Sequence, residues 1–229
     1  MSERVVVLTG AGISADSGLA TFRDAGGLWE GRRPEEVATP EAFVSDPAMV
    51  HRFYNSRRLQ LRDAEPNDAH RALVEWEKAT PDFLLVTQNV DDLHERAGSG
   101  KLRHMHGELK RVKCEFCDHD RPEAGEISTE TVCEKCGQGG GMRPAVVWFG
   151  EMPLHMEEIF WALDACTLFV SIGTSGNVYP AAGFVDAANR TGARTVELNL
   201  EPSTTASAFR ECIHGRAAEI VPAFVERFL

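Results

Sequence analysis

The sequence holds no apolar run approaching the ~20 residues that span a bilayer. Its start, Met1-Ser2-Glu3-Arg4, leads straight into Val5-Val6-Val7-Leu8, without a longer apolar segment and a small-residue cleavage site. Neither a secretory signal nor a membrane span is expected, and the expected location is cytoplasmic. Positive charge is also scarce: 24 Lys and Arg stand against 35 Asp and Glu, a formal charge of −11. A surface of that sign repels phosphate backbones and anionic lipids, so neither bulk nucleic acid nor a membrane is an expected partner. With 11 Pro and 20 Gly in 229 residues, disordered and collagen-like chains are excluded. What is present, 43% hydrophobic and 26% charged residues, is the composition of a globular protein. The length admits one large domain, or one with a small inserted module.

Short apolar runs alternate with amphipathic stretches, which predicts an α/β fold with a parallel sheet and crossover helices. Strands are predicted over residues 5–8, 83–87, 145–149, 168–172 and 195–198, with a weaker one at 219–221. Four are near-continuous apolar runs, the pattern of strands covered on both faces. Helices are predicted over 68–78, 156–163 and 181–189. In the second, Met156, Ile159, Phe160 and Leu163 recur at helical spacing and read as core. Two regions break the alternation. Residues 25–66 are polar and arginine-rich, with Pro34, Pro40, Pro47 and Pro66, and residues 111–142 hold four of the six cysteines. Both read as insertions that return to the main sheet.

Cys114-x2-Cys117 and Cys133-x2-Cys136 are separated by fifteen residues, the spacing of a four-cysteine zinc site. Each pair lets two thiolates converge on one ion from a tight turn. Metal binding would supply the folding energy that so few apolar residues cannot. Disulfides are the alternative, disfavoured in a reducing compartment. Four thiolates leave no open position, so the ion is expected to be structural. Cys166 and Cys212 read as ordinary buried cysteines.

After the first strand, Gly10-Ala11-Gly12-Ile13-Ser14-Ala15 fits the glycine-rich turn that brings backbone close to a pyrophosphate. A dehydrogenase needs a second strand ending in an acidic residue ~20 positions on. Here that stretch, Thr21-Phe22-Arg23-Asp24-Ala25-Gly26-Gly27-Leu28-Trp29, reads as a loop. A dinucleotide is expected; hydride transfer is not.

These residues resemble the sirtuins, NAD-dependent protein-lysine deacylases. The resemblance rests on Gly10 to Ser14 continuing to Thr21-Phe22-Arg23, on Thr87-Gln88-Asn89-Val90-Asp91 and on His104-Met105-His106-Gly107-Glu108. To these are added the four cysteines, Val147-Trp148-Phe149-Gly150-Glu151, Gly173-Thr174-Ser175 and Asn199-Leu200-Glu201. They occur in family order across nearly the whole chain, and the compact bacterial desuccinylase-like subgroup is the most similar.

The resemblance implies a Rossmann-like domain of residues 1–24, 67–110 and 143–229, a helical insertion at 25–66 and a zinc-binding insertion at 111–142. It implies NAD as co-substrate, one structural zinc, and acyl-lysine proteins or peptides as partners. In the implied reaction the acyl oxygen attacks the nicotinamide ribose and expels nicotinamide, so positioning supplies much of the rate. The products are nicotinamide and O-acyl-ADP-ribose.

His106 matches the family's general base, suited to proton transfer near neutral pH. Asn89 and Asp91 match catalytic ribose and nicotinamide contacts, with Gln88 and Val90 beside them. The resemblance adds Gly10, Ala11, Gly12, Ser14, Phe22, Arg23, Trp29, Gly173, Thr174, Ser175, Asn199, Leu200, Glu201 and Ala217 on the cofactor. It implies Val147, Phe149, Gly150 and Glu151 on a peptide that binds by strand addition. Tyr54-x-x-Arg57 matches the subgroup signature for acidic acyl groups. On a helix the two share a face, and an arginine there would clamp a carboxylate. A surface role remains open, since Arg52, Arg58 and Arg62 cluster with Arg57. Removal of both acetyl and succinyl or malonyl groups is therefore expected. Alternatives are a mono-ADP-ribosyltransferase or NAD glycohydrolase on the same fold, and a non-enzymatic NAD-sensing zinc module. Two departures stand out: Ala20 where the family commonly has proline, and Ala145 where histidine is usual.

Overall fold

The computed structural model describes residues 3–20 and 33–229. Strand β1 (Arg4–Thr9) ends in two short 3-10 turns, Ala11–Ile13 and Ala15–Ser17. The helices α1 (Pro34–Val37), α2 (Pro40–Ser45), α3 (Pro47–Asp63) and α4 (Asp68–Ala79) follow, then β2 (Asp82–Thr87), α5 (Leu93–Ala97) and β3 (Leu102–His104). An excursion comprises β4 (Gly107–Cys114), β5 (Asp120–Pro122) and β6 (Met142–Val146). The chain returns through α6 (Met156–Ala165), β7 (Leu168–Ile172), α7 (Phe184–Arg190), β8 (Arg194–Asn199), β9 (Glu211–His214) and α8 (Ala217–Val225).

The larger sheet has the order β3-β2-β1-β7-β8-β9, with every pairing parallel. Its central strands β1, β2, β7 and β8 are covered on both faces, which is why they read as near-continuous apolar runs. Alternate residues of β1 serve opposite layers. Val5 and Val7 pack with Leu73 and Trp76 of α4 and Phe224 of α8. Val6 and Leu8 pack with Ile159 and Leu163 of α6 and Phe184 of α7. Each such side chain contributes about 1.5–3 kcal/mol when withdrawn from water.

Between β1 and β7 the strand order changes direction, and open sheets of this kind bind ligands in the crevice at that switch. The crevice forms because β1 leads toward β2 and β3 on one side, while the returning chain places β7, β8 and β9 on the other.

The 25–66 region is helical where it is described. Pro40 and Pro47 each begin a helix, with Thr39 and Asp46 accepting the first-turn amides of Ala42 and Met49. Proline suits that position because its missing N–H would have no helical partner. The smaller sheet, β5-β4-β6, is antiparallel, and its strands begin before and end after the 111–142 segment.

Several expectations need correction. The weak strand at 219–221 lies within α8; Ile220 and Val221 are followed by Phe224 and Val225 at helical spacing, and the apolar face closes on α4. The run at 145–149 is not a parallel strand: only its start belongs to a strand, β6, paired antiparallel to β4. Strands β3, β4, β5 and β9 were not expected, because they are short or interleaved with charge. Phe160 is 41% exposed, with its ring edge-on to Phe184 of the core. Cys166 is buried, but Cys212 is exposed on β9.

His51 on α3 is buried, and neither ring nitrogen has a hydrogen-bond partner among the described residues. Burial, reinforced by the Arg58 charge, pushes its pKa down to about 4. The unfolded chain takes up that proton near ~6.5, so this contribution to stability is complete above that pH and lost as pH falls toward the folded value. His51→Leu is therefore expected to raise the urea midpoint, more at about pH 5 than at about pH 8. A gain no larger in acid would contradict this.

Candidate active site

A cleft of about 390 Å³ opens at the carboxyl ends of β1, β2, β7 and β8. Its floor is the glycine turn. Gly12 donates to the Gly173 carbonyl at 2.9 Å, and a Cβ on Gly12 would stand 2.7 Å from Gly173 Cα. Gly173 has φ +63°, a region favourable to glycine. Backbone thus meets backbone, and Gly10, Ala11, Gly12 and Ser14 are presented to the cleft. Asn67 at the start of α4 braces the turn by donating to the Ile13 carbonyl at 2.8 Å and Ser17 Oγ at 3.0 Å.

On one side stand the residues after β2. Asn89 Nδ2 donates to the Gly10 carbonyl at 3.2 Å and to Ser14 Oγ at 3.3 Å. Ser14 Oγ donates to Asp91 Oδ2 at 3.1 Å, and the Leu93 amide donates to Asp91 Oδ1. Burial pushes the Asp91 carboxyl up, and the hydrogen bonds from Leu93 and Ser14 work against it. Gln88 and Val90 line the same wall.

His106 sits between β3 and β4 and lines the cleft. Its Nδ1 is 3.1 Å from the Gln88 carbonyl, which can only accept, so Nδ1 carries the proton and Nε2 is left as a base. Burial lowers its pKa, opposed by the bond to Gln88. The next residue has to be glycine: Gly107 has φ +77°, and a Cβ there would stand 2.1 Å from the Ala145 carbonyl oxygen.

On the far side, Gly173, Thr174, Ser175, Asn199, Leu200 and Ala217 all line the cleft. Asn199 Nδ2 donates to the Thr174 carbonyl at 2.7 Å, tying β8 to the loop after β7. Glu201 does not line the cleft. Phe22, Arg23 and Trp29 lie outside the described residues.

The mouth is formed by Val147, Phe149, Gly150 and Glu151. Val147 N–H donates to the His106 carbonyl and Phe149 N–H to the Ala38 carbonyl, each at 2.9 Å. Trp148 N–H donates to Glu151 Oε2 at 2.8 Å. The amides of Val147, Trp148, Phe149 and Glu151 are thus all bonded within the chain. Arg57 lines the cleft, with its guanidinium carbon 5.8 Å from the Phe53 ring centroid. Tyr54 does not line it: its hydroxyl is buried and accepts from Trp148 Nε1 at 2.9 Å. The arginines of α3 divide, Arg58 being buried while Arg52 and Arg62 are exposed.

Arg143 went unmarked as a sequence feature. It is 1% exposed, stacks on Trp148 at 3.8 Å, donates to the Val146 carbonyl at 3.1 Å and pairs with Glu115 and Glu151. It holds the mouth segment in shape. An arginine inside the apolar run Arg143-Pro144-Ala145-Val146-Val147 is the signal, since a charge there requires partners.

The four cysteine Sγ atoms lie within 4.8 Å of one another, with Cys114–Cys136 at 3.8 Å and Cys117–Cys133 at 3.7 Å. Disulfide sulfurs would be ~2.05 Å apart. Thiolates at the corners of a tetrahedron around zinc, with ~2.3 Å bonds, stand about 3.8 Å apart. The donor set therefore fits a structural zinc ion, and all six cysteines are free.

Residues 10–180 match the model of the Sir2 family. The chain belongs to the Sir2 family. It is 56% identical over 99% of its length, and 97% of the relative's, to a protein of Bdellovibrio bacteriovorus described as an NAD-dependent protein deacylase. A protein of Caulobacter vibrioides with the same description is 54% identical, over 99% of this chain and 97% of the other. Among solved structures, a Sir2 homologue–NAD complex superposes with a TM-score of 0.91 at 38% identity, covering 99% of this chain and 90% of the other. A Sir2 protein bound to acetylated peptide gives 0.85 at 28% identity, covering 99% and 93%. This Sir2 chain thus has the expected α/β architecture, a parallel Rossmann-like sheet with a small four-cysteine module. Among the described residues no helix is long and apolar enough to cross a membrane.

Chelation of the metal should strip amide-exchange protection from residues 112–142, whose small cluster of Val112, Ile127 and Met142 packs around Cys114 and Cys133. Protection unchanged by a chelator that removes one zinc per chain would show that this module folds without it.

Proposed function

We propose that this Sir2 chain is an NAD-dependent protein-lysine deacylase that removes acetyl and succinyl or malonyl groups, giving nicotinamide and O-acyl-ADP-ribose. The observation that carries the reading is His106, its Nδ1 proton held by the Gln88 carbonyl, in one cleft with the glycine turn, Asn89 and Asp91. NAD supplies the electrophilic ribose carbon. The residues bind, orient and shield. Gly10, Ala11, Gly12 and Ser14 offer close backbone to the diphosphate. Gly173, Thr174, Ser175, Asn199, Leu200 and Ala217, which line the cleft, take the adenosine side. Gln88, Asn89, Val90 and Asp91 orient the nicotinamide ribose; by the family resemblance Arg23 is assigned to the cofactor phosphates, Phe22 to shielding the reactive ribose face, and Trp29 to a further cofactor contact. His106 Nε2 takes the proton.

The acyl-lysine chain enters past Val147, Phe149, Gly150 and Glu151. Arg57 pairs with an acidic acyl carboxylate, and Tyr54 supports the pocket through Trp148. The functional division follows residues 1–24, 67–110 and 143–229 for NAD, 25–66 for the acyl pocket and 111–142 for zinc.

Mass spectrometry of acetyl- and succinyl-lysine peptides, with and without NAD, tests the activity. His106→Tyr should abolish NAD-dependent deacylation, and retained turnover would remove His106 from its role. Because burial lowers the His106 pKa, the neutral base persists at neutral pH, and kcat/KM should fall only on acidification below ~6.5. Nicotinamide release without any need for acyl-peptide would favour a glycohydrolase. For the acyl group, Tyr54→Phe with Arg57→Met should lower the succinyl-to-acetyl ratio of kcat/KM by about 10- to 100-fold. Equal loss of both activities would refute the carboxylate clamp.

A further inference from the structure

Helix α3 carries Tyr54, Asn55, Arg57 and Arg58 in one and a half turns, and three of them bond to other elements at once. Asn55 grips a single residue of the zinc module at both ends of its amide: Nδ2 donates to the Ile127 carbonyl at 2.9 Å, and Oδ1 accepts the Ile127 amide at 3.2 Å. Arg58 donates to Asn55 Oδ1 at 2.9 Å and to the Leu109 carbonyl of β4 at 2.8 Å. Tyr54 accepts from Trp148 on the mouth segment. The contacts of Asn55 reach 72 residues along the chain, to the loop between the two cysteine pairs. There Ile127 is 2% exposed and packs with Cys114, Cys133, Val112 and Met142.

Ile127 has no regular strand or helix to hold it. Its position follows from the packing around the cysteines, and its two backbone groups are completed by one side chain. The amide of Asn55 replaces the partner strand that Ile127 lacks. Such a two-point clamp transmits position in both directions. Two residues further along the same helix, Arg57 lines the cleft. A carboxylate clamp depends on placement of its guanidinium far more than does a pocket for an uncharged acyl group.

We propose that Asn55 is a positioning residue that couples the zinc module to the acyl pocket: through its clamp on Ile127, the metal-folded loop fixes the register of α3 and with it the selectivity for acidic acyl-lysines. This rests on Arg57 being the acyl-carboxylate contact. The metal, structural in its coordination, then has a second consequence at the cleft, and the chain's own Asn55 carries it there.

The test compares wild type, Asn55→Ala and Arg57→Met in the zinc-loaded full chain, with zinc content measured for each. Asn55→Ala should retain one zinc per chain, raise KM for a succinyl-lysine peptide by about tenfold and leave the acetyl-peptide kcat within about twofold. Amide exchange gives a readout apart from activity. Chelation should raise exchange in residues 53–60 of the wild type, whereas in Asn55→Ala these residues should already exchange faster and respond little to chelation.

If Arg57→Met lowers the succinyl-to-acetyl ratio but Asn55→Ala does not, the coupling is wrong while the acyl reading stands. If Arg57→Met leaves the ratio unchanged, the acyl reading itself fails. Equal losses on both peptides in Asn55→Ala, with zinc retained, would show that Asn55 supports the fold without setting selectivity. Exchange in 53–60 that ignores chelation in the wild type would overturn the coupling directly.

Discussion

The molecule depends on one close approach of backbone to backbone. Gly10 and Gly12, leaving β1, lie against Gly173, leaving β7, and a single methyl group on Gly12 would collide with main-chain atoms that cannot move aside. This contact joins the two halves of the parallel sheet at the place where the strand order reverses. It also keeps side chains out of the floor of the cleft, so amides and small groups face the ligand. The network from Asn89 through Ser14 to Asp91 and the Asn67 brace from α4 all attach to that turn. Buried charge is held locally, at Arg143, by Glu115 and Glu151.

The second organising feature is the way the two insertions lean on each other. The zinc module has only a small apolar cluster of its own, and the helical insertion packs on Trp148, Val146 and Leu109, residues of the mouth and of the smaller sheet. Polar groups fasten them: Arg58 on Leu109, Asn55 on Ile127, Tyr54 on Trp148, and Arg143 among Glu115, Glu151 and Val146. Each of these would be costly if left without its partner, so each specifies one arrangement rather than merely adding contact. The cleft wall opposite the glycine turn is therefore built from polar ties across three segments distant in sequence.

Much of this was legible in the residues. The cysteine spacing anticipated four sulfurs converging at tetrahedral distances, because a knuckle is a local structure whose geometry follows from two intervening residues. The runs at 5–8, 83–87, 168–172 and 195–198 are strands because burial on both faces demands unbroken apolar sequence. The same rule misled at 219–221, where a short apolar run belongs to a helix packed on α4, and at 145–149, where the chain leaves β6 for the mouth of the cleft. Short runs carry too few residues for periodicity to separate the two cases. Cys212 reads as an ordinary buried cysteine, yet it is exposed on the edge strand β9.

Sequence by itself determined the elements whose information is local: the glycine turn, the cysteine knuckles and the proline-started helices. Tertiary structure alone decided which way groups face and what they touch. Tyr54 and Arg57 share a helix face by spacing, yet the tyrosine hydroxyl is taken by Trp148 while Arg57 lines the cleft. His106 owes its tautomer to a carbonyl eighteen residues away. Arg143 and Asn55 acquire their roles only from partners brought in by folding. Spacing along a chain sets which side chains can be neighbours. Burial then favours arrangements in which polar groups find partners, as Asn89, Arg58 and Arg143 do, and only the folded chain supplies those partners.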